Sequence, residues 1–348
     1  MTPPEPARIL PALPEGAEVL IVRLRSLGDI VLMTPSLDAL HAWRPDLRLC
    51  VLVEPAFAAA LEGNPAVAEI ILHSDFLSTV EKLRGHRFPV IFNHHGGPSS
   101  AFLTLAAGSP VRVCWERLRQ FAWFYNVRVP DPARILGQDT VHSVEDRIAT
   151  FYYAGLPRGP IPSMQVFPRP DAQQTVRQRL AEQGIAAGEP YVVVRPGAAT
   201  LAKQWPAERF AELARWLADE RKLNVVVDCG PGEGELAESI KPMLPRGVAL
   251  LDSLGLRELI ALVSGARLFV GNDTGPTHVA AAAGCRVAAI FSVTDPAIYG
   301  PWQAEHRVAQ APGLCPKCPG RPCYPSARNR CILSLDFDAV RAACEALL

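Results

Sequence analysis

Short apolar runs rich in β-branched residues alternate with segments of helical spacing along almost the whole chain. Strands apolar on both faces must be covered on both faces, which leads to a mostly parallel sheet flanked by helices. Glu18 to Leu24 is the first such run, and Asp29 to Ala42 follows with helical spacing of Ile30, Met33, Leu37 and Leu40. Further strands are expected at Leu47 to Val53, Ala68 to Leu72, Pro89 to Phe92 and Val111 to Val113, with a closing helix at Val141 to Ala154. Gly155 to Pro170 then carries five prolines and two glycines, the composition of a domain boundary. After it the alternation restarts, with strands at Tyr191 to Arg195, Leu223 to Asp228, Val248 to Leu251, Leu268 to Val270 and Val287 to Phe291, and a last helix at Asp336 to Leu347. The fold class is α/β: two Rossmann-like, doubly wound domains, residues 1–160 and 161–348. Ligands are expected at the C-terminal strand ends, in a cleft that the two domains face. The last helix has the reach to pack back on the first domain.

With 348 residues, 35 of them basic and 35 acidic, the chain can fill two cores but carries no global basic field. Nucleic acid is therefore not an expected partner. No apolar run has the length of a membrane span. Met1 to Pro14 lacks a charged start followed by an apolar stretch, so it reads as a short flexible leader and not as a secretory signal. A cytoplasmic location is expected.

Four loops at strand ends carry the chemistry. Gly271 to His278 reads as strand, tight turn and helix start: Asp273 and Thr274 offer capping oxygens, Gly275 permits the turn and Pro276 suits the first helical turn. The helix N–H groups there are suited to a phosphate or diphosphate, with His278 one turn on. The loop Arg195 to Pro206 offers Thr200 and Lys203 to the same anion, while Trp205 reads as packing. In the turn Asp228 to Gly234, Glu233 is suited to ribose hydroxyls or simply starts a helix. At the end of the first strand, Arg25, Ser26, Gly28 and Asp29 form a turn whose carboxylate is either a plain helix cap or a base for a substrate hydroxyl. That turn has no G-x-G-x-x-G, so it is no dinucleotide fingerprint.

In order and spacing, Arg25-x-x-Gly28-Asp29, Pro196-Gly197…Lys203-x-Trp205-Pro206 and Asp273-Thr274-Gly275-Pro276-Thr277-His278 resemble the heptosyltransferases of glycosyltransferase family 9, from about Val19 to Leu347. The resemblance implies a GT-B fold with the acceptor on the N-terminal domain and a nucleotide sugar on the C-terminal one. It implies inverting transfer of heptose from an ADP-sugar to a lipopolysaccharide core or lipid A-linked acceptor, with no metal or other cofactor in catalysis. By the same resemblance Asp29 is the base, with Arg25, Ser26 and Gly28 on the acceptor side. Lys203 holds the departing diphosphate, Thr274 and Gly275 cradle it, Asp273 positions the sugar and Glu233 meets the ribose. The chain departs from the family at Ala198 and Ala199, where hydroxyl or acidic residues are common, which leaves Thr200 as the substitute. A second departure is the adjacent pair His94-His95 within Asn93 to Gly97, which points to a different acceptor.

Of nine cysteines, Cys50, Cys114, Cys229, Cys285 and Cys344 are isolated and read as small buried hydrophobes. Cys315, Cys318, Cys323 and Cys331 are clustered in a Pro- and Arg-rich stretch. Four thiolates there would make a closed, structural zinc site; reduced thiols and disulfides are the alternatives. Lys317, Arg321, Arg328 and Arg330 give the same stretch a basic patch suited to anionic lipid at the inner membrane, or to water alone. Rival readings are a nucleotide-sugar isomerase or epimerase of the same architecture, a transferase for another sugar nucleotide, and a non-catalytic nucleotide- or glycan-binding protein.

Overall fold

The computed structural model describes residues 7–311 and 330–348. The chain divides into two compact units, Met1–Gln165 and Val166–Leu348.

In the first unit, strands β1 (Glu18–Val22), β2 (Arg48–Val53), β3 (Glu69–Leu72), β4 (Val90–Asn93), β5 (Val111–Trp115) and β6 (Val127–Val129) alternate with helices α1 (Leu27–Val31), α2 (Thr34–Trp43), α3 (Phe76–Arg84), α4 (Pro98–Ala106), α5 (Pro132–Leu136) and α6 (Ser143–Tyr153). All strand pairs are parallel and the order is β3-β2-β1-β4-β5-β6. The central strands are buried along nearly their whole length, as continuous apolar runs predict.

The second unit repeats the plan. Strands β7 (Tyr191–Arg195), β8 (Asn224–Cys229), β9 (Ala249–Asp252), β10 (Leu268–Asn272), β11 (Arg286–Phe291) and β12 (His306–Gln310) stand in the order β12-β11-β10-β7-β8-β9, again all parallel. Its helices are α7 (Pro170–Glu182), α8 (Ala207–Arg215), α9 (Gly234–Ile240), α10 (Leu256–Ser264), α11 (Gly275–Ala282), α12 (Pro296–Tyr299), α13 (Arg330–Leu333) and α14 (Phe337–Glu345). The last helix, α14, packs into this unit's own core through Val340, Ala343 and Cys344, beside Trp205 and Ile290. Two doubly wound α/β domains are thus present, as the alternation predicts.

Three local expectations need correction. The single helix expected over Asp29 to Ala42 is two, α1 and α2. Pro35 has no N–H to give the Val31 carbonyl, and the Thr34 hydroxyl donates to that carbonyl instead, at 2.9 Å. The segment read as a flexible leader docks from Ala7 onward: Ala7 N donates to Tyr153 O, Leu10 N to Ala154 O, and Leu10 is fully buried. The edge strands β6 and β12 are additional to those expected: β6 is only three residues long and β12 opens with His306 and Arg307. Among the described residues no helix is long and apolar enough to cross a membrane.

Candidate active site

In each sheet the strand order reverses beside the unit's first strand, between β1 and β4 in one and between β7 and β10 in the other. The loops leaving those strands diverge to opposite faces and open a crevice at the carboxyl ends. Every loop singled out from the sequence leaves one of these strands or their neighbour β8.

In the first unit, α1 follows β1 after four residues and carries Asp29 at its third position, so this residue is not the N-cap; Ser26 holds that position, with its hydroxyl turned to Asp29 and not to the helix N–H groups. The Asp29 carboxylate accepts from Ser26 Oγ at 3.0 Å and from the Arg147 guanidinium at 2.8 Å, and it pairs closely with Arg23. Burial alone would raise its pKa. The charges of Arg23 and Arg147 and the Ser26 hydroxyl outweigh burial and hold the carboxyl below its usual range. Arg147 comes from α6 and also binds Asp146, whose carboxylate takes a two-pronged contact from Arg117 at 2.7 and 2.9 Å. Arg117 and Arg147 both lie over the Trp115 ring, 4.8 and 5.5 Å from its centroid. Three guanidiniums thus face two carboxylates. Buried polar atoms without a hydrogen-bond partner collect in the same place: Arg23 Nε, Arg147 Nε, His94 Nδ1 and Trp115 Nε1.

The loop after β4 closes the other side of this crevice. Asn93 Oδ1 accepts from the backbone N–H of both His95 and Gly96 at 2.9 Å, while its amide nitrogen donates to Thr104 and Tyr125. Gly96 has φ +74°, and a Cβ there would strike Leu118. His94 is buried, 2.8 Å from the Thr150 hydroxyl, and its carbonyl accepts from Arg23. Burial, then the charges of Arg147, Arg23 and Arg117, push the His94 pKa well below the ordinary histidine value. Burial and Arg23 lower His95 to about 4. Both rings are neutral at neutral pH. Arg25 does not join the cluster: it is exposed, with Glu54 4.0 Å away. Of the arginines that do, Arg23 opens the same turn, while Arg117 and Arg147 were missed because they lie far off in sequence, Arg147 on a helix read as closing the domain.

In the second unit, Asn272 at the end of β10 fastens the loop that leaves β7. Its amide nitrogen donates to Pro196 O at 2.9 Å, and its oxygen accepts from Trp205 N at 3.1 Å. Trp205 is core, packed edge-on to Phe210. This clamp brings Lys203 to Asp273, Nζ to Oδ2 at 2.6 Å; Thr294 donates to the same oxygen, and His278 Nε2 is 4.0 Å from the other. Asp273 and His278 are buried, and Lys203 is half-buried. Thr274 holds the N-cap position of α11, but neither its side chain nor that of Asp273 caps the helix, contrary to expectation: Asp273 is taken by Lys203 and Thr294, and the Thr274 hydroxyl turns back to Asn272 O at 3.2 Å. The first turn of α11 therefore begins at Gly275 with no side-chain hydrogen bond from its N-cap residue. Thr200 is exposed, one turn before Lys203, and its carbonyl accepts from Lys203 N at 3.0 Å.

Glu233 both precedes α9 and closes a charged network. It accepts from Gly230 N at 2.6 Å and lies 3.3 Å from Arg195, which is also paired with Asp228. Asp228 is fully buried, and burial pushes its carboxyl up against the pull of Arg195. A Cβ on Gly197 would run into the Glu233 carboxylate, so this glycine is what lets Glu233 lie across the loop after β7. Arg195 and Asp228 read from the sequence as strand-end residues only. Of the clustered cysteines, Cys315, Cys318 and Cys323 lie outside the described residues, with Lys317, Arg321 and Arg328; Cys331 is buried in the second unit's core.

The sequence profile of glycosyltransferase family 9 (heptosyltransferase) matches residues 76–325. The chain belongs to glycosyltransferase family 9. It is an enzyme, a glycosyltransferase, which sets aside the isomerase and binding-protein readings. Lipopolysaccharide heptosyltransferase 3 of Escherichia coli K12 is 26% identical over 93% of this chain and 96% of its own length. The crystal structure of a family 9 glycosyl transferase from Veillonella parvula superposes with a TM-score of 0.85 at 20% identity, covering 96% of this chain and 98% of that one. E. coli heptosyltransferase WaaC, solved with ADP-2-deoxy-2-fluoro heptose, gives a TM-score of 0.70 at 22% identity, covering 94% and 99%. These likenesses in fold agree with the GT-B arrangement of two Rossmann-like domains.

Proposed function

We propose that this family 9 enzyme transfers heptose from ADP-heptose to a lipopolysaccharide core acceptor, with inversion and without a metal. The observation that carries the reading is the division of charge at the two crevices. One holds an ionised carboxylate among arginines, and the other a lysine beside an uncapped helix start.

Asp29 is the base. The acceptor hydroxyl attacks C1 of the heptose, the bond from C1 to the diphosphate oxygen breaks, and the hydroxyl proton passes to Asp29. Its low pKa keeps the carboxylate charged throughout the neutral range, and it makes proton transfer late, when the attacking oxygen has become acidic. Arg23, Arg117 and Arg147 exceed Asp29 and Asp146 by one positive charge, which suits an acceptor bearing carboxylate or phosphate. The departing ADP takes up the electron pair; Lys203 and the N–H groups at the start of α11, Gly275 among them, meet its charge. Thr200 and Thr274 border that diphosphate and His278 backs Asp273, which positions the sugar. Glu233 accepts from the ribose with the oxygen that Gly230 leaves over. Ser26 and Gly28 hold Asp29 in place on the acceptor side.

A lipid-linked acceptor calls for contact with a membrane surface. Unit one supports this with an apolar patch: Trp123 stacks on Phe124 at 3.9 Å, and Phe102 packs edge-on against the same ring. Trp123 is 75% and Leu77 of the neighbouring α3 79% exposed.

The deciding experiment measures ADP-heptose binding by calorimetry and transfer to core acceptors by mass spectrometry, in wild type and in Asp29→Asn. Transfer lost with donor affinity kept within about threefold supports the reading. Wild type that binds ADP-heptose yet transfers it to no core acceptor overturns the acceptor, and tighter binding of UDP or GDP sugars overturns the donor.

A further inference from the structure

At the opposite end of the first sheet from Asp29, four side chains of metal-ligand type converge. Glu18 opens β1, Glu69 opens β3, Cys50 lies between them on β2, and His86 sits in the turn from α3 to β4. The pairing explains the convergence. Cys50 is directly opposite Glu69 and Leu20 directly opposite Cys50, so Glu18, two residues before Leu20, shares their face. One ligand atom from each of the four lies within 4.8 Å of all the others. His86 Nδ1 is 3.1 Å from Glu18, its Nε2 is 3.7 Å from Glu69, and the ring stacks on Phe88, which fixes its plane. Cys50 is completely buried.

We propose that Glu18, Cys50, Glu69 and His86 form a structural site for one divalent transition-metal cation of the zinc type. A thiolate, an imidazole and two carboxylates are the ligand set that borderline-soft zinc takes in four-fold coordination. Bond lengths of about 2.0–2.3 Å place tetrahedral ligands ~3.5 Å apart, so the four need to close by only about an ångström. The alternative partner is weak: Arg48 reaches Glu18 at 3.6 Å from an exposed position, and the Cys50 thiol has only a long contact, 3.9 Å, to the Arg48 carbonyl. Without a cation, burial and the charges of Glu18 and Glu69 push the Cys50 thiol up to about 12. On binding, the sulfur–hydrogen bond is replaced by sulfur–metal and the proton leaves to solvent. The ion would join the starts of three strands and the turn before a fourth. It would take no part in transfer, because four protein ligands leave no open position and β1 separates it from Asp29.

The test uses the full chain carrying Cys315→Ser, Cys318→Ser and Cys323→Ser, which removes three of the four clustered thiols, stripped of metal and titrated with Co²⁺; the buried thiols that remain besides Cys50 are controlled for by Cys50→Ser. The expected result is one equivalent bound, with a thiolate-to-cobalt charge-transfer band and the intense visible bands of a tetrahedral ion. Cys50→Ser should abolish the charge-transfer band. Glu69→Gln, at a partly exposed position where folding is safe, should weaken binding by about 10- to 100-fold with the metal-free Tm unchanged. Zn²⁺ should raise the Tm of the parent and not of Cys50→Ser. Absence of the band, or a band that survives Cys50→Ser, overturns the proposal and leaves His86 simply lying between Glu18 and Glu69.

Discussion

Replacing Asp29 by asparagine separates its anchoring of arginines from its proposed role as a base. The change keeps the shape and removes the charge that Arg23 and Arg147 share, whose side chains are only 11% and 9% exposed. Removing one partner of a fully buried pair costs about 3–5 kcal/mol. The Asp29 side chain is 27% exposed, so water screens part of the effect and the loss should be about 2–3 kcal/mol. For units of this size that is a fall in Tm of about 4–12 °C. Transfer should fall by about 10²- to 10⁴-fold. Adding Arg147→Met then removes the unbalanced charge, while Asp146 keeps its two contacts from Arg117. The double variant should regain roughly half the lost stability and none of the rate. Calorimetric melting and single-turnover transfer, run at a temperature where every variant is folded, read the two effects apart. If the rate returns with stability, or if Asp29→Asn alone keeps transfer within about threefold of wild type, Asp29 is an anchor and not the base.

The same carboxylate sets an acid limit. Its folded pKa is depressed, so its stabilisation is complete above the unfolded value of about 4 and is lost as pH falls through the lower folded value; the stability gap between wild type and Asp29→Asn should narrow only below about pH 4. Lys203→Ala should weaken ADP-heptose binding by about 10- to 100-fold, the loss of one charge-assisted contact; calorimetry showing unchanged affinity would remove Lys203 from the site. Gly197→Ala should displace the Glu233 side chain and weaken ADP binding more than it lowers Tm, and a variant that melts early yet binds ADP normally would refute that role. Trp123→Ser should reduce sedimentation with anionic vesicles several-fold while leaving transfer to a soluble acceptor fragment intact; equal sedimentation would put membrane contact elsewhere.

The alternation of apolar runs made the two parallel sheets legible, because a strand buried on both faces must be apolar at nearly every position, as β7 is. The turn residues at the strand ends were legible for a related reason: glycine, proline and short polar side chains are needed where a strand gives way to a helix. What lay hidden was every partner supplied from a distance. Nothing in the residues around Arg147 or Asn272 says that the first will hold Asp29 or that the second will clamp the loop carrying Lys203. The ligand set of Glu18, Cys50, Glu69 and His86 is likewise scattered over four elements, and Cys50 alone reads as a small hydrophobe. The expected caps on α11 failed because Asp273 had a stronger claim on it, the Lys203 ammonium.

The Asn272 clamp has a consequence for how the protein comes to be active. Its bonds reach 67 residues back to Trp205 and 76 residues back to Pro196. Parallel pairing of β7 with β10 requires the whole intervening β8–β9 segment to be made and folded back first. Contacts that close loops of this length form late, since chain entropy must be given up before they contribute. Lys203 and Asp273 therefore meet only when the centre of the second sheet has closed. If the proposed donor site is right, a chain emerging from synthesis has no nucleotide pocket until β10 is in place, and nucleotide binding would mark completion of that sheet.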